Sequence, residues 1–244
     1  MWNGDVTFGE TWAVYVGKVA DQSAHAHAAL QVAIATAGKI DLALASGAIV
    51  SGESLVVAPL VRHQLLKADS QVILLYFDAH SPTARLLLAS LHTASVGPPP
   101  QSFLNAVGLD PMGVAKRLAK LEADGIGTSG LDPRLAAALA ELGNDMSGGA
   151  IERVARTVGL SAPRLRALAK TQLGLPLSQW LLWRKLEVAS REIAAGGTLA
   201  DSALAGGFAD QAHMARTMRH MFGITPGGAA IPLRKRYVQE SGGH

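Results

Sequence analysis

The hydrophobic pattern of the chain changes at about residue 80. Between residues 11 and 78, short runs rich in β-branched and aromatic residues are separated by glycine or proline. Such runs are typical of strands, and their succession without an intervening helical pattern predicts a small antiparallel barrel or sandwich. The predicted strands are TWAVYVGKV, LQVAIAT, KIDLALAS, SLVVAPL and QVILLYFD.

After residue 80, hydrophobic residues recur at helical spacing. Helices are expected over 81–91, 110–124 and 131–143, and the last two open with Asp-Pro pairs that suit an N-cap and the first helical position. The polar segment 144–149 is the predicted domain boundary. The predicted units are a β-domain at 1–80, a helical connector and candidate dimerisation surface at 81–145, and a helical domain at 146–244.

The helical domain contains a crude internal repeat. Two pairs of short helices, each joined by a glycine turn, flank one long helix at about 177–195. A helix of roughly 19 residues spans about 28 Å, and neighbouring major-groove faces lie about 34 Å apart. The pattern is therefore typical of two helix-turn-helix modules on one DNA face. Periodicity alone gives equal weight to a helical bundle with a solvated basic face.

Charge favours a polyanion as the partner of the last domain. Residues 146–244 carry thirteen Lys/Arg against six Asp/Glu, although the net charge of the whole chain is only +3. The chain has no cysteine, which excludes disulfides, thiolate metal sites and cysteine nucleophiles. We see neither a secretory leader nor an apolar run of membrane-spanning length, so a cytoplasmic protein without a membrane partner is expected.

The second helix of each predicted pair carries side chains suited to DNA. Arginine can bind guanine bidentately and glutamine can bind adenine, whereas the remaining cations suit phosphates. The candidates are Arg164, Arg166 and Lys170 in the first pair, and Gln211, His213, Arg216 and Arg219 in the second.

The last ninety residues resemble the DNA-binding domain of the AraC/XylS family of bacterial transcription regulators. The matching positions are Ile151 through Ala155, Gly159-Leu160-Ser161, Gly174, Arg184, Leu186, Ala189, Ala205, Gly207-Phe208, Asp210-Gln211, Arg216, Phe222-Gly223 and Thr225-Pro226. The resemblance implies double-stranded DNA as a partner and a homodimer, and it allows RNA polymerase as a further partner. It implies base contacts from Pro163, Arg166, Ala167, Gln211, Ala212, His213 and Arg216, with Ser161, Arg164, Lys170 and Arg219 completing the DNA-binding set.

A histidine motif lies in the β-domain. His25, His27, Gln31 and Gly38 follow the spacing H-x-H-x₃-Q-x₆-G, and His63 comes later, on a predicted strand. The spacing resembles the first cupin motif, in which a glutamate stands at the position of Gln31. His25 and His27 should point to one face of a strand and converge with His63.

The resemblance implies that His25, His27, Gln31 and His63 line an effector pocket. The same four residues are candidate ligands of a divalent transition metal, although no cofactor is required. Glutamine in place of glutamate removes a negative charge, which should weaken the binding of a hard cation and argues against an enzyme. Histidines that are merely hydrogen-bonded within the barrel are the remaining interpretation.

Together these patterns predict an α+β fold. It consists of an N-terminal antiparallel cupin-like β-barrel, a helical connector and a C-terminal all-α domain with two helix-turn-helix modules. The predicted function is a sequence-specific DNA-binding transcription regulator, not an enzyme, that senses a small molecule or a metal. The alternatives are a cupin-type metalloenzyme fused to a DNA-binding module and an effector-free DNA-binding dimer.

Overall fold

The computed structural model describes residues 3–19, 22–66, 68, 70–124 and 130–225. Pro226, one of the positions that match the AraC/XylS pattern and the predicted start of another helix, lies outside these ranges with the rest of the C-terminal segment. Within them, strands come first and helices follow. The strands are β1 Asn3–Phe8, β2 Trp12–Lys18, β3 Leu30–Ala35, β4 Ile40–Leu44, β5 Ile49–Gly52, β6 Ser54–Val57, β7 His63–Leu65, β8 Val72–Phe77 and β9 Val96–Gly97. The helices are α1 Pro82–Ser90, α2 Gln101–Val107, α3 Val114–Ala123, α4 Pro133–Asn144, α5 Ala150–Thr157, α6 Ala162–Leu173, α7 Leu177–Ala194, α8 Leu199–Ala205 and α9 Gln211–Phe222.

The strands form two antiparallel sheets. One has the order β1-β2-β8-β3-β6-β9 and the other has the order β5-β4-β7. The five predicted strands are present as β2, β3, β4, β6 and β8. The sequence analysis missed β1, β5 and β9, which are polar or very short, so they carry little of the alternation that marks a half-buried strand.

Burial on both faces explains why the two central strands, β3 and β8, have continuous apolar sequences. Strand β3 is buried at every position and β8 at all but one, because both of their faces are covered. On one face Leu75 packs with Leu87 of α1 and Phe103 of α2, and on the other Leu74 packs with Leu42 of the second sheet. Two-sided burial removes the need for alternating polar residues.

The predicted helix at 110–124 begins later than expected. Helix α3 starts at Val114, and its N-cap position is Gly113. Asp110 does not cap the helix; its side chain accepts a hydrogen bond from the Met112 backbone N–H at 3.0 Å, within a turn. The Asp-Pro pair was therefore a turn signal here, whereas Asp132 does cap α4 by accepting from the Arg134 N–H at 2.9 Å.

The helices between residues 81 and 145 pack in two directions. Helices α1 to α3 cover the larger sheet, whereas α4 buries Leu135, Leu139 and Leu142 in the same hydrophobic cluster as the C-terminal helices. The predicted unit at 81–145 is thus shared between two cores. The bounds 1–80, 81–145 and 146–244 and the dimerisation role stay a prediction.

The two halves of the molecule are docked through α7. Ala28, Ala29 and Ala79 of the β-region share a buried cluster with Trp180 and Trp183 of α7. In addition, Trp180 Nε1 donates a hydrogen bond of 2.8 Å to the buried carboxylate of Asp78, just after β8. The Arg191 guanidinium lies 4.8 Å from the centre of the Phe8 ring and donates to the Gly9 carbonyl. None of the helices in the described ranges combines the length and the apolar character that a membrane span requires.

The turn after α8 requires glycine because it approaches α7 closely. A Cβ added at Gly206 would lie 2.6 Å from the Lys185 carbonyl oxygen and 3.0 Å from the Ala189 Cβ. By contrast, a Cβ at Gly143 within α4 would meet nothing within 4 Å.

We therefore expect opposite effects from two glycine-to-alanine substitutions. Gly206→Ala should destabilise the protein by about 1–3 kcal/mol, because the helices must separate to admit the methyl group. Gly143→Ala should stabilise it by about 0.5–1 kcal/mol, since alanine is the better helix former. The melting temperature of the full chain measures both effects, and equal shifts in one direction would contradict the close approach at Gly206.

Candidate DNA interface and histidine cluster

The first helix-turn-helix module consists of α5 and α6. Gly159 adopts φ +68° between them, and Ser161 caps α6 by accepting from the Arg164 backbone N–H at 3.3 Å. Helix α6 buries Leu165, Ala169 and Leu173. Its exposed face carries the predicted DNA-binding side chains, namely Pro163, Arg164, Arg166, Ala167 and Lys170.

One candidate base reader in this module is already paired. The Arg166 guanidinium forms an ion pair with the Glu152 carboxylate of α5, and both side chains are about half exposed (47% and 48%). The hydrogen bond from Arg166 lowers the pKa of Glu152, so the carboxylate is charged at neutral pH. Contact of Arg166 with a base would therefore compete with this ion pair.

The second module consists of α8 and α9. Thr198 caps α8 by accepting from the Asp201 N–H at 3.1 Å, and Asp210 caps α9 by accepting from the His213 N–H at 2.6 Å. Between the helices Gly207 adopts φ +66°. The buried face of α9 is built from methionines and a threonine: Met214, Thr217, Met218 and Met221. The predicted DNA-binding side chains Gln211, Ala212, His213, Arg216 and Arg219 are all exposed.

Helix α7 separates the two modules. It has 18 residues, which corresponds to about 27 Å. Its buried residues recur along its whole length and anchor both modules, as well as the β-region: Leu177, Trp180, Trp183, Leu186, Ala189, Ser190 and Ile193. A rigid spacer of this length suits two reading helices in neighbouring major grooves.

The structure brings the four predicted effector residues together. His25, His27, Gln31 and His63 are each at most 2% exposed. One potential ligand atom from each histidine lies within 4.8 Å of the others. His63 is on β7 as expected, but His25 and His27 are not on a regular strand. His25 instead forms an isolated bridge, exchanging backbone hydrogen bonds of 2.9 Å with His63 in both directions.

Backbone carbonyls set the tautomer of all three imidazoles. The Nδ1 atoms lie 3.0, 3.0 and 2.9 Å from the carbonyl oxygens of Ser23, Ala29 and Val61. A carbonyl only accepts, so each Nδ1 carries the proton and each Nε2 keeps its lone pair. Burial lowers the pKa of His25 to about 2 and that of His27 to about 4, and it also lowers the pKa of His63. The cluster is therefore neutral at physiological pH.

The inner atoms of the cluster fit a metal ion. Gln31 Oε1 lies 2.9 Å from His27 Nε2 and 3.0 Å from His63 Nε2, although all three atoms are acceptors. Two ligand atoms at right angles around a metal, each bound at about 2.1 Å, would stand about 3.0 Å apart. Without a metal, the same residues satisfy one another if the Gln31 amide nitrogen faces the two imidazoles.

The histidine cluster touches the end of the second reading helix. The Ser23 N–H and hydroxyl donate to the Gly223 carbonyl at 3.2 and 3.3 Å. Gly223 adopts φ +70° just after α9, and a Cβ there would lie 3.0 Å from His25 Nδ1. Phe222 lies 6.2 Å from His27 between ring centres. The segment Ser23–His25 therefore lies directly against the C-terminal end of α9.

Comparison with known proteins identifies the C-terminal half. Residues 154–229 match the family model described as a helix-turn-helix domain. The C-terminal domain is an AraC-type helix-turn-helix domain. A solved AraC-type regulator from Chromobacterium violaceum is 26% identical over 42% of this chain and 94% of its own, with a TM-score of 0.40. No curated protein sequence matches the chain.

The arrangement of both halves is similar to that of ToxT from Vibrio cholerae. An apo ToxT variant is 10% identical and covers 95% of this chain and 100% of its own, with a TM-score of 0.62. A second ToxT structure, with an unsaturated fatty acid bound, is 9% identical over 93% of this chain and 98% of its own, with a TM-score of 0.56. At these identities the likeness concerns the fold, which is the predicted β-rich region followed by the helical domain.

The sequence analysis missed one cation beside the AraC-type domain. Arg62 and Ser23 of the β-region line an open cleft with Arg216, Arg219 and His220 of α9. Arg62 directly precedes His63 in the chain, so the cluster and the basic cleft share a segment. No local signal indicates this position, because its basic neighbours in the cleft, Arg216, Arg219 and His220, lie more than 150 residues away along the chain.

We expect Glu152→Gln to strengthen DNA binding by the first module. The change frees Arg166 and removes a negative charge from the module, while a half-exposed ion pair contributes only about 0–1 kcal/mol to stability. Affinity for a selected DNA site should rise a few-fold, and the half-site read by α6 should become better defined. Glu53→Gln, on an exposed turn of the β-region, is the matched charge control. Equal effects of the two variants would contradict the role given to the Arg166–Glu152 pair.

Proposed function

We propose that this protein is a sequence-specific regulator that binds double-stranded promoter or operator DNA through α6 and α9. The observation that carries the proposal is the pair of capped, exposed helices held apart by α7. That the protein acts as a regulator and not as an enzyme is part of this proposal. The homodimer, the contact with RNA polymerase and the cytoplasmic location stay predictions.

We expect α9 to read bases more sharply than α6. Within the part of the chain that the structure describes, the exposed side chains of Gln211, His213 and Arg216 on α9 form no hydrogen bond, so all three can reach a base. In α6, Pro163 and Ala167 offer no hydrogen-bonding group and Arg166 is held by Glu152. A DNA sequence selected from a random pool should therefore contain one well-defined half and one poorly defined half, about one helical turn apart.

Two arginines on α9 test the proposal. Arg216→Ala should lower specific affinity by about 1–3 kcal/mol and relax the preference at one base position, if Arg216 contacts a base edge. Arg219→Ala should weaken binding to all sequences alike and reduce the salt dependence. Affinities measured on a panel of single-base variants at several salt concentrations separate the two effects. Identical behaviour of the two variants would refute the division of roles.

For the effector, we propose a divalent transition metal held by His25, His27, His63 and Gln31. The support is the set of three neutral, buried imidazoles with ligand atoms within 4.8 Å of one another, together with the Gln31 amide oxygen beside two of them. Imidazole-rich sites suit Zn²⁺, Ni²⁺, Cu²⁺ and Fe²⁺. The fatty-acid-bound ToxT structure supports the other predicted effector class, a small molecule. No cofactor is required for the DNA-binding role itself.

The contact between Ser23 and Gly223 suggests how the effector acts. A metal that draws His25 inward shifts the Ser23–His25 segment, which holds the end of α9. If metal binding strengthens DNA binding, linkage requires that DNA strengthen metal binding by the same factor.

The metal proposal predicts how wild type and variants at His63 and Gln31 respond to added metal. Wild type should retain metal after purification and be stabilised by added metal, by about 2.7 kcal/mol at one hundred times the dissociation constant. His63→Ala should lose this response, whereas Gln31→Glu should bind metal more tightly because it adds a charged ligand. His92→Asn, at an exposed histidine with φ +53°, is the control for surface binding, and asparagine tolerates that φ.

Metal content and melting temperature decide the outcome. If wild type holds no metal and Zn²⁺, Ni²⁺ and Mn²⁺ leave its melting temperature unchanged, the cluster is a structural hydrogen-bond network. In that case the DNA-binding proposal still stands, because it is measured separately on α9.

A further inference from the structure

A basic cleft lies where the β-region meets the C-terminal half of α9. It is open and has a volume of about 420 Å³. The β-region supplies one side of the cleft and α9 supplies the other. The lining residues are Ser23, Ala24, Arg62, Arg216, Arg219 and His220. Basic side chains from both halves of the molecule therefore face the same opening.

No carboxylate balances these cations within the part of the chain that the structure describes. The lining of the cleft contains three arginines and a histidine but neither aspartate nor glutamate. Segments 54–66 and 211–225, which carry the arginines, contain no acidic residue at all. Like charges that face one opening repel one another, so an anion placed between them is stabilising.

The backbone of Arg62 is held in place, whereas its side chain is free to bind. The Arg62 carbonyl accepts a hydrogen bond from the Ala45 N–H at 3.3 Å, and the next residue, His63, exchanges backbone hydrogen bonds with His25. The side chain of Arg62 is exposed and forms neither a hydrogen bond nor an ion pair with any residue in the described ranges. A positioned guanidinium without a protein partner is well suited to bind a phosphate through two hydrogen bonds.

Docking of the β-region leaves the reading face of α9 uncovered. His213, Arg216 and Arg219 are all exposed although the two halves are in contact. Arg216, Arg219 and His220 share one side of the helix because they are three or four residues apart. Arg62 lies beside this row, away from the start of α9. When the start of α9 contacts base edges, a cation at this place faces the sugar–phosphate backbone that borders the groove.

We propose that Arg62 of the β-region binds a backbone phosphate of the same DNA that α9 reads, next to the phosphate that Arg219 contacts. The inference rests on the proposed DNA-binding function of α9 and extends the DNA interface beyond the AraC-type domain. Successive phosphates of one strand lie about 3.4 Å apart along the duplex axis, so two arginines in one cleft can bind two of them. Such a contact adds affinity but carries no information about the base sequence.

DNA bound in this way would bridge the two halves of the protein. Arg62 belongs to the β-region and Arg219 belongs to α9, so a strand that contacts both favours the docked arrangement. By linkage, the docked arrangement binds DNA more tightly than a chain whose halves have separated.

The salt dependence of DNA binding tests the proposal, because it reports how many phosphates are contacted. Affinities of the full chain are measured between about 50 and 200 mM salt for a selected DNA sequence and for an unrelated duplex. Arg62→Ala should reduce the slope of log affinity against log salt by about 0.9 on both duplexes and lower affinity about threefold to tenfold. Arg62→Lys should keep the slope, since it keeps the charge. The melting temperature should not change in either variant.

Lys39→Ala is the matched control. Lys39 is exposed and directly precedes β4, whereas Ala45, which bonds to the Arg62 carbonyl, directly follows β4. The length of β4 separates the two positions by about 20 Å, which is more than two Debye lengths at physiological ionic strength. Removal of the Lys39 charge should therefore leave the slope unchanged, and an effect confined to Arg62 indicates a direct contact.

Neutral methylphosphonate groups, placed one at a time in the selected duplex, locate the contacted phosphate. One position on the flank of the half-site read by α9 should weaken binding by wild type but not by Arg62→Ala. A neighbouring position should weaken binding by wild type but not by Arg219→Ala.

Two results would overturn this inference and leave DNA binding by α9 intact. The first is an unchanged slope and affinity in Arg62→Ala, or an equal loss in Lys39→Ala. The second is stabilisation of wild type, but not of Arg62→Ala, by inorganic phosphate while the two bind DNA alike, which would assign the cleft to a free anion. If the full chain selects no DNA sequence at all, the proposed function itself fails.

Discussion

The structure depends on the docking of α7 against the β-region. This helix separates the two helix-turn-helix modules, and it also packs against the N-terminal half. Trp183 packs 6.1 Å from Tyr76 of β8 between ring centres, and Trp180 donates its indole N–H to buried Asp78. A buried carboxylate needs donors, so this contact specifies how the two halves meet. Helix α7 therefore sets both the distance between α6 and α9 and their position relative to the histidine cluster.

The histidine cluster packs against aromatic rings from both halves of the molecule. Tyr76, Trp183 and Phe222 lie 5.4, 5.8 and 6.2 Å from His27 between ring centres. Tyr76 belongs to β8, Trp183 belongs to α7, and Phe222 is the last residue of α9. The rings therefore connect the proposed metal site with the end of α9.

The two modules differ in the hydrogen-bonding side chains that they expose, and they also differ in their contacts with the β-region. Helix α6 packs against α4, α5 and α7, and its Arg166 is paired with Glu152. Helix α9 presents Gln211, His213 and Arg216 to solvent, and its C-terminal end rests on Ser23. The module with the richer set of base-reading side chains is therefore the one in contact with the candidate sensor.

Local chemistry made much of this protein predictable from its sequence. The caps at Ser161, Thr198 and Asp210 depend on atoms within three residues, and the spacing of His25, His27 and Gln31 brought them together as expected. Only the tertiary structure decided that Asp78 meets Trp180, that Arg62 joins Arg216, and that α4 packs with the C-terminal helices. The first two contacts join segments that are distant in the chain. The third depends on which of two hydrophobic clusters α4 enters. Periodicity shows which face of an element is buried, but it carries no information about which partner buries it.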